Sequence, residues 1–287
     1  MSALTQKKGS LPHGVARVAR RTATQLGAWL ARLGRPPRGG QGPRLFSDGG
    51  VLIFGLVPAL VTLALVLLLI DPLAVPGQRG LPHAIVAAFE AITDVGKSGW
   101  VLVPAGLALL AIAAAVTPAI GRIAYGVAMS LVVRIGFVFL AVAIPGLVVT
   151  IVKRLIGRAR PMHFDDLGAY GFDPLGWRVD YASFPSGHGT TAFGIAAAFG
   201  ALFPRLRPLL WSLAALIALS RVVVAAHYPS DVVAGAICGV IGALLVRNWF
   251  AARRLGFVVT AAGTVRPMAG PSWARLKTVC RHVLRGA

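Results

Sequence analysis

Apolar runs long enough to span a bilayer recur along the chain, separated by short breaks rich in charge, Pro and Gly. A helix needs about 20 mostly apolar residues to cross a hydrocarbon core about 30 Å thick. Val51 to Ile70 meets that need without a charge, and Asp71-Pro72 reads as its stop. Val101 to Val116 follows, ending near Pro118, and then Val127 to Val152, whose one cation, Arg134, can snorkel toward the near end. Thr190 to Phe203 is the shortest run and stops at Pro204. Leu209 to Ala226 and Val232 to Trp249 complete the set, which predicts six spans. Pro58, Pro104 and Pro145 lie inside runs and predict kinks, because a bundle re-satisfies the backbone groups that Pro frees.

Weaker patterns flank these runs. Val15 to Leu33 and Trp273 to Leu284 each place apolar residues on one face of a basic stretch, the pattern of a helix lying on a membrane surface; plain disorder is the alternative. Pro82 to Thr93 reads as a short interfacial helix, either a packed surface element or part of a lipid entrance. Gly34 to Pro43 reads as a disordered linker, and no cleavable leader is visible. The expected organisation is a basic tail over 1–46, a membrane domain over 47–250 and a second basic tail over 251–287. The expected fold class is all-α, a six-transmembrane-helix bundle.

Composition narrows the class. The chain is 56% hydrophobic and 13% charged, below the roughly 25% charge of soluble domains. Lys and Arg number 29 against 9 Asp and Glu. With such apolar runs that excess points away from nucleic acid and toward the bilayer and its anionic headgroups. Nine of the cations fall in the first 46 residues and eight from Arg247 onward, so both ends are expected in the cytoplasm. The loops at 71–100, 153–189 and 226–231 then share the opposite side with eight of the nine carboxylates. Lys153, Arg154, Arg158 and Arg160 break the positive-inside pattern there and require another explanation. Cys238 in an apolar run and Cys280 in a basic tail are not placed to pair.

Three polar segments fall on that one side. Lys153 ends the third run, and Pro161 forces an extended backbone at Arg160, so two cations face water. Pro185-Ser186-Gly187-His188 precedes the fourth run, where a Gly turn meets a helix N-terminus, a favourable place for an anion. Ser220-Arg221 and His227-x3-Asp231 bracket the last turn; in a helix the His and Asp would share a face, the carboxylate orienting the imidazole. Each segment alone has a plainer reading: snorkelling interface cations, Ser186 as an N-cap, Asp231 as a cap. Their common side is what favours a site.

Together, Lys153-x6-Arg160-Pro161, Pro185-Ser186-Gly187-His188 and Ser220-Arg221-x5-His227-x3-Asp231 resemble the signature of the type 2 phosphatidic acid phosphatase superfamily, which includes vanadium haloperoxidases and bacterial acid phosphatases. The resemblance runs from about Val51 to Phe250, with Gly189 standing where Thr, Ser or Ala is more usual. It implies an extracytoplasmic-side active site with His227 as nucleophile, Asp231 as its orienting partner and His188 as general acid. Lys153, Arg160, Ser186, Gly187 and Arg221 would hold the phosphate. No metal or other cofactor is implied, since the cations offset the charge. Asp165, Asp166, Asp173 and Asp180 in the covering loop are read as solvated rather than metal-binding. The expected substrate is a membrane lipid phosphate or prenyl pyrophosphate in a bacterial inner membrane, with the site periplasmic. A phosphotransferase using the same phosphohistidine, or a non-enzymatic lipid transporter or scaffold, are the rival readings.

Overall fold

The computed structural model describes residues 13–37, 55–117, 120–277 and 279. Eight helices account for most of it. They are α1 (His13–Leu33), α2 (Val57–Arg79), α3 (His83–Val95), α4 (Gly99–Ala115), α5 (Arg122–Ile156), α6 (Gly187–Leu202), α7 (Arg207–Val223) and α8 (Pro229–Ala252). Among the described residues, five stretches are long and apolar enough to cross a membrane: Val57–Arg79, His83–Ala115, Arg122–Ile156, Pro204–Val223 and Pro229–Ala252. The fourth expected span is helix α6. Its 16 residues reach only about 24 Å at the α-helical rise.

Helix α6 can be short because protein, not lipid, surrounds it. It packs against α5, α7 and α8, and ten of its residues are buried, all of them Gly, Ala or Thr. Side chains this small let backbones approach closely, the usual device of helix packing in membranes. A methyl group on Gly239 of α8 would sit 2.3 Å from the Thr190 carbonyl oxygen. Lipid-facing residues such as Leu60, Leu65 and Leu69 of α2 stay exposed, as bilayer contact requires.

Several expectations need correction. The first expected span, α2, does not stop at Asp71-Pro72 but continues to Arg79. A π turn over Val66–Ile70 shifts the hydrogen-bond ladder just before Pro72, which has no N–H to give, and Asp71 is buried rather than marking an end. The start of that run, 51–54, lies outside the described residues. The chain is also not purely helical. Strands β1 (Phe257–Val259) and β2 (Val265–Pro267) form an antiparallel hairpin in the second tail. Strands of three residues are too short to leave a readable alternation. Phe257 anchors the hairpin, its ring edge-on to Phe137 at 4.7 Å between centroids.

The basic stretch 15–33 forms α1, which packs on α4 and is tied to the end of α8 where Trp249 Nε1 donates to the Leu33 carbonyl, 3.1 Å. Half of the expected helix at 273–284 lies outside the described residues, as does Cys280; the first five residues of that stretch, 273–277, are helical. From Asp231 to Trp249, α8 runs about 27 Å. Helix α1 and the hairpin therefore occupy one end of the bundle, and the ends of α5, α6, α7 and α8 that carry the polar segments meet at the other.

Candidate active site

Four helix termini converge on this end. Helix α5 closes on Gly157 in the left-handed conformation, φ 64°, which leaves Lys153 in its last turn. A Cβ there would collide with the Asp173 carbonyl at 1.8 Å, so glycine is required. Arg160 is extended before Pro161, φ −79° and ψ 162°, and its amide donates to the Asp180 carbonyl, 2.8 Å. The loop between α5 and α6 thereby folds back over the site. Of its carboxylates, Asp165 pairs with Arg79 of α2, and Asp180 with Arg178 and His163. Among the described residues no three His, Cys, Asp or Glu side chains are grouped to hold a metal ion.

Ser186 caps α6, its hydroxyl accepting from the Gly189 amide at 3.3 Å, while its own amide donates to the Asp231 carbonyl at 2.8 Å. The plainer reading of Ser186 as an N-cap thus holds, and it leaves the hydroxyl hydrogen free to donate. The helix starts at Gly187, earlier than expected, so the amides of Gly187 and His188 have no helical acceptor. A methyl group on Gly187 would sit 3.6 Å from Lys153 Nζ, so the ammonium lies beside this helix start.

His227 is not in a helix, contrary to the simplest reading of its spacing. Pro229 begins α8, and Tyr228 before it is extended at ψ 156°. The His227 amide instead donates to the Arg221 carbonyl, 3.2 Å, across a turn with Ala225 at φ 53°. The turn still brings His227 Nδ1 within 3.5 Å of Asp231 Oδ2. Asp231 also accepts from the Tyr228 amide at 2.9 Å, so it caps α8 and faces the imidazole at once. Ser183, unremarked in the sequence, donates to the same Oδ2 at 2.5 Å.

Lys153 and Arg221 both act electrostatically on His188 and on His227, and Arg160 acts on Lys153 and Arg221. The structure thus gathers all eight candidate residues at one end of the bundle. Burial pushes the His227 imidazole below its ordinary value, and Asp231 pulls it part of the way back. Burial and then the positive charge of Arg221 push His188 down to about 4. Arg221 Nη1 donates to Thr93 Oγ1 at 2.6 Å, which ties the site to α3. Arg160 Nε, Arg221 Nε and His188 Nε2 are buried without a hydrogen-bond partner among the described residues. Unsatisfied buried donors are costly, and a bound oxyanion relieves that cost. Beside His188 a cavity of about 380 Å³ opens between α4 and α5, lined by Leu102, Val142 and Leu147 with Lys97 at its polar end.

Two residues that sequence reasoning passed over complete the site. Arg158 read as one more cation of its segment, and Asp71 as a helix stop. Both are buried and hydrogen-bonded behind Asp231.

The PAP2 superfamily model matches residues 134–255, which contain all eight candidates. A lipid A 1-phosphatase of Rhizobium etli is 37% identical over 218 residues, 67% of this chain and 88% of that one. A lipid A 1-phosphatase of Rhizobium johnstonii is 43% identical over 133 residues, 46% of this chain and 54% of its own length. Among solved structures, Aquifex aeolicus LpxE aligns at TM-score 0.42 and 21% identity, covering 65% of this chain and 93% of that one. The first transmembrane PAP2 type phosphatidylglycerolphosphate phosphatase from Bacillus subtilis aligns at 0.48 and 19%, covering 69% and 96%. With that family match and a relative aligned over most of its length, the chain belongs to the PAP2 superfamily, among its membrane lipid phosphatases.

Proposed function

We propose that this protein removes a phosphate monoester from a lipid headgroup through a phosphohistidine on His227, with lipid A phosphorylated at position 1 as the foremost substrate. The observation that carries the mechanism is the placement of His227, 3.5 Å from Asp231 and within electrostatic reach of Lys153 and Arg221. The phosphoryl oxygens sit among Lys153, Arg160, Arg221, the Ser186 hydroxyl and the amides of Gly187 and His188. These donors stabilise charge in a site drier than water, where each contact is stronger. Two arginines suit bidentate contact with phosphate, and the lysine supplies a point charge.

Neutral His227 attacks phosphorus in line, and the P–O bond to the lipid breaks. Asp231 holds the ring and offsets the positive charge that forms on it. His188 gives its proton to the departing oxygen, then takes one from the water that cleaves the P–N bond. The cations do the work of charge neutralisation, so the step requires no metal. The apolar cavity beside His188 suits a substrate whose chains remain in the bilayer while its phosphate reaches the helix ends. The name of the relatives supports lipid A over the other lipids. The charge pattern of tails and loops supports a periplasmic site with cytoplasmic termini.

The test is phosphate release by purified enzyme from lipid A, phosphatidic acid, phosphatidylglycerophosphate and undecaprenyl pyrophosphate, with His227→Ala and His188→Ala beside it. Quenched turnover should yield a phosphoenzyme stable to alkali and labile to acid, absent from His227→Ala. A His227→Ala enzyme that still releases phosphate would end the mechanism. Phosphate recovered on an added lipid or sugar acceptor instead of in water would make the enzyme a transferase.

A further inference from the structure

Behind His227 lies more buried charge than the reaction scheme uses. Arg158 is 1% exposed. Its Nη1 donates to Asp231 Oδ1 and to Ser230 Oγ, both at 2.7 Å. Its Nη2 donates to Asp71 Oδ2 and to the Ala169 carbonyl, both at 2.8 Å. The guanidinium lies 4.3 Å from the centroid of the Tyr228 ring. Asp71, brought in by α2, is fully buried and also accepts from the Ser230 amide at 2.9 Å.

The arrangement is costly if its only role is stability. A buried ion pair seldom stabilises more than a well-packed apolar substitute, because desolvation offsets the attraction. Its charge has a consequence for catalysis. Arg158 fixes one oxygen of Asp231 and so leaves Oδ2 to face His227. A guanidinium bonded to that carboxylate alone would cancel most of the negative field on the imidazole. Asp71 on the far side of Arg158 returns the buried group to one net negative charge. That is the charge needed when the ring becomes cationic on taking up the phosphoryl group.

We propose that Asp71 is a positioning residue for the phosphoryl-transfer step, acting through Arg158 to restore the negative charge that Asp231 presents to His227. This rests on the reading of His227 as nucleophile. It adds a contribution from the first membrane helix, outside the region that the family model matches.

The experiment follows the His227 ring by NMR of histidine-labelled full-length enzyme in detergent, its signal assigned by loss in His227→Ala. The other charged or titratable groups acting on that ring are Lys153, Arg221 and His188, which stay unchanged throughout. Asp71→Asn removes a unit charge roughly 10 Å from the ring, and at an effective dielectric of about 20 the ring titration should fall by about one pH unit. With it kcat should drop by up to about tenfold, while KM stays within about twofold, since the charge acts on the transition state.

The double variant Asp71→Asn/Arg158→Met restores the wild-type net charge. Because Arg158 lies nearer the ring than Asp71, the ring titration should return to its wild-type position or rise above it, even if the protein melts at a lower temperature. A merely structural role predicts the reverse, a double variant displaced further than the single one. An unchanged titration in Asp71→Asn, or a larger downward shift in the double variant, overturns the proposal. Should the single variant fail to fold, the double variant against wild type decides by the same criterion. The titration does not depend on turnover. A His227→Ala enzyme that keeps activity therefore refutes the nucleophile separately from the role of Asp71.

Discussion

The closest test of the architecture is Gly235→Ala. Gly235 lies on the face of α8 that packs against the start of α6, and an added methyl carbon would meet the Ser186 carbonyl oxygen at 2.4 Å and the Thr190 amide nitrogen at 3.1 Å. A carbon in tolerable contact with a carbonyl oxygen sits at about 3.3–3.6 Å, so the two helices must part by roughly 1 Å. Both contacts are backbone, so no side chain can turn aside. The Ser186 carbonyl accepts from both the amide and the hydroxyl of Thr190, and the displacement is passed to the helix start that carries Gly187 and His188. A misplacement of about 1 Å can cost about 10²-fold in rate. Overpacking should cost about 1–3 kcal/mol, partly offset by the better helix propensity of Ala, about 1 kcal/mol. Phosphate release and thermal melting in detergent measure the two effects. Gly126→Ala, with nothing within 4 Å of the new methyl group, is the control and should leave both unchanged. A Gly235→Ala enzyme within about twofold of wild-type kcat would show that the helix start tolerates displacement, against the account of the site given above.

His188, held down to about 4 in the free enzyme, is neutral above about pH 5, whereas the general-acid role proposed for it requires a proton. Bound phosphate opposes the neighbouring cations and raises its pKa, so the basic limb of kcat should lie at higher pH than that of kcat/KM; a kcat that already falls above about pH 5 would contradict this. His188→Ala should remove that limb and lower kcat by about 10²–10⁴-fold. Phe257→Ala, which deletes the hairpin's anchor against Phe137, should cost about 3–5 kcal/mol in unfolding while the distant site keeps its kcat, as melting and turnover would show. Vanadate, a phosphate mimic, should inhibit competitively, and chelators should leave turnover intact; loss of activity in a chelator that added divalent ions restore would refute charge neutralisation by side chains alone.

What the sequence determined by itself is set by short-range physics. The apolar runs are legible because a bilayer demands continuous apolar length. Lys153, Arg160, Ser186, Gly187, His188, Arg221, His227 and Asp231 stand out because they fall in three short polar segments that the apolar runs place on one side, and their chemical roles come from the family resemblance. The tertiary structure decided what depends on partners distant in the chain. Asp71 and Arg158 are 87 positions apart, and neither has a local pattern, so one read as a helix stop and the other as a surplus cation. The bond from Arg221 to Thr93, the non-helical turn at His227 and the burial of short helix α6 were hidden for the same reason. Local sequence fixes conformation and hydropathy, but the pairing of buried charges is settled only when the packed helices exclude water and leave each ion its few remaining partners.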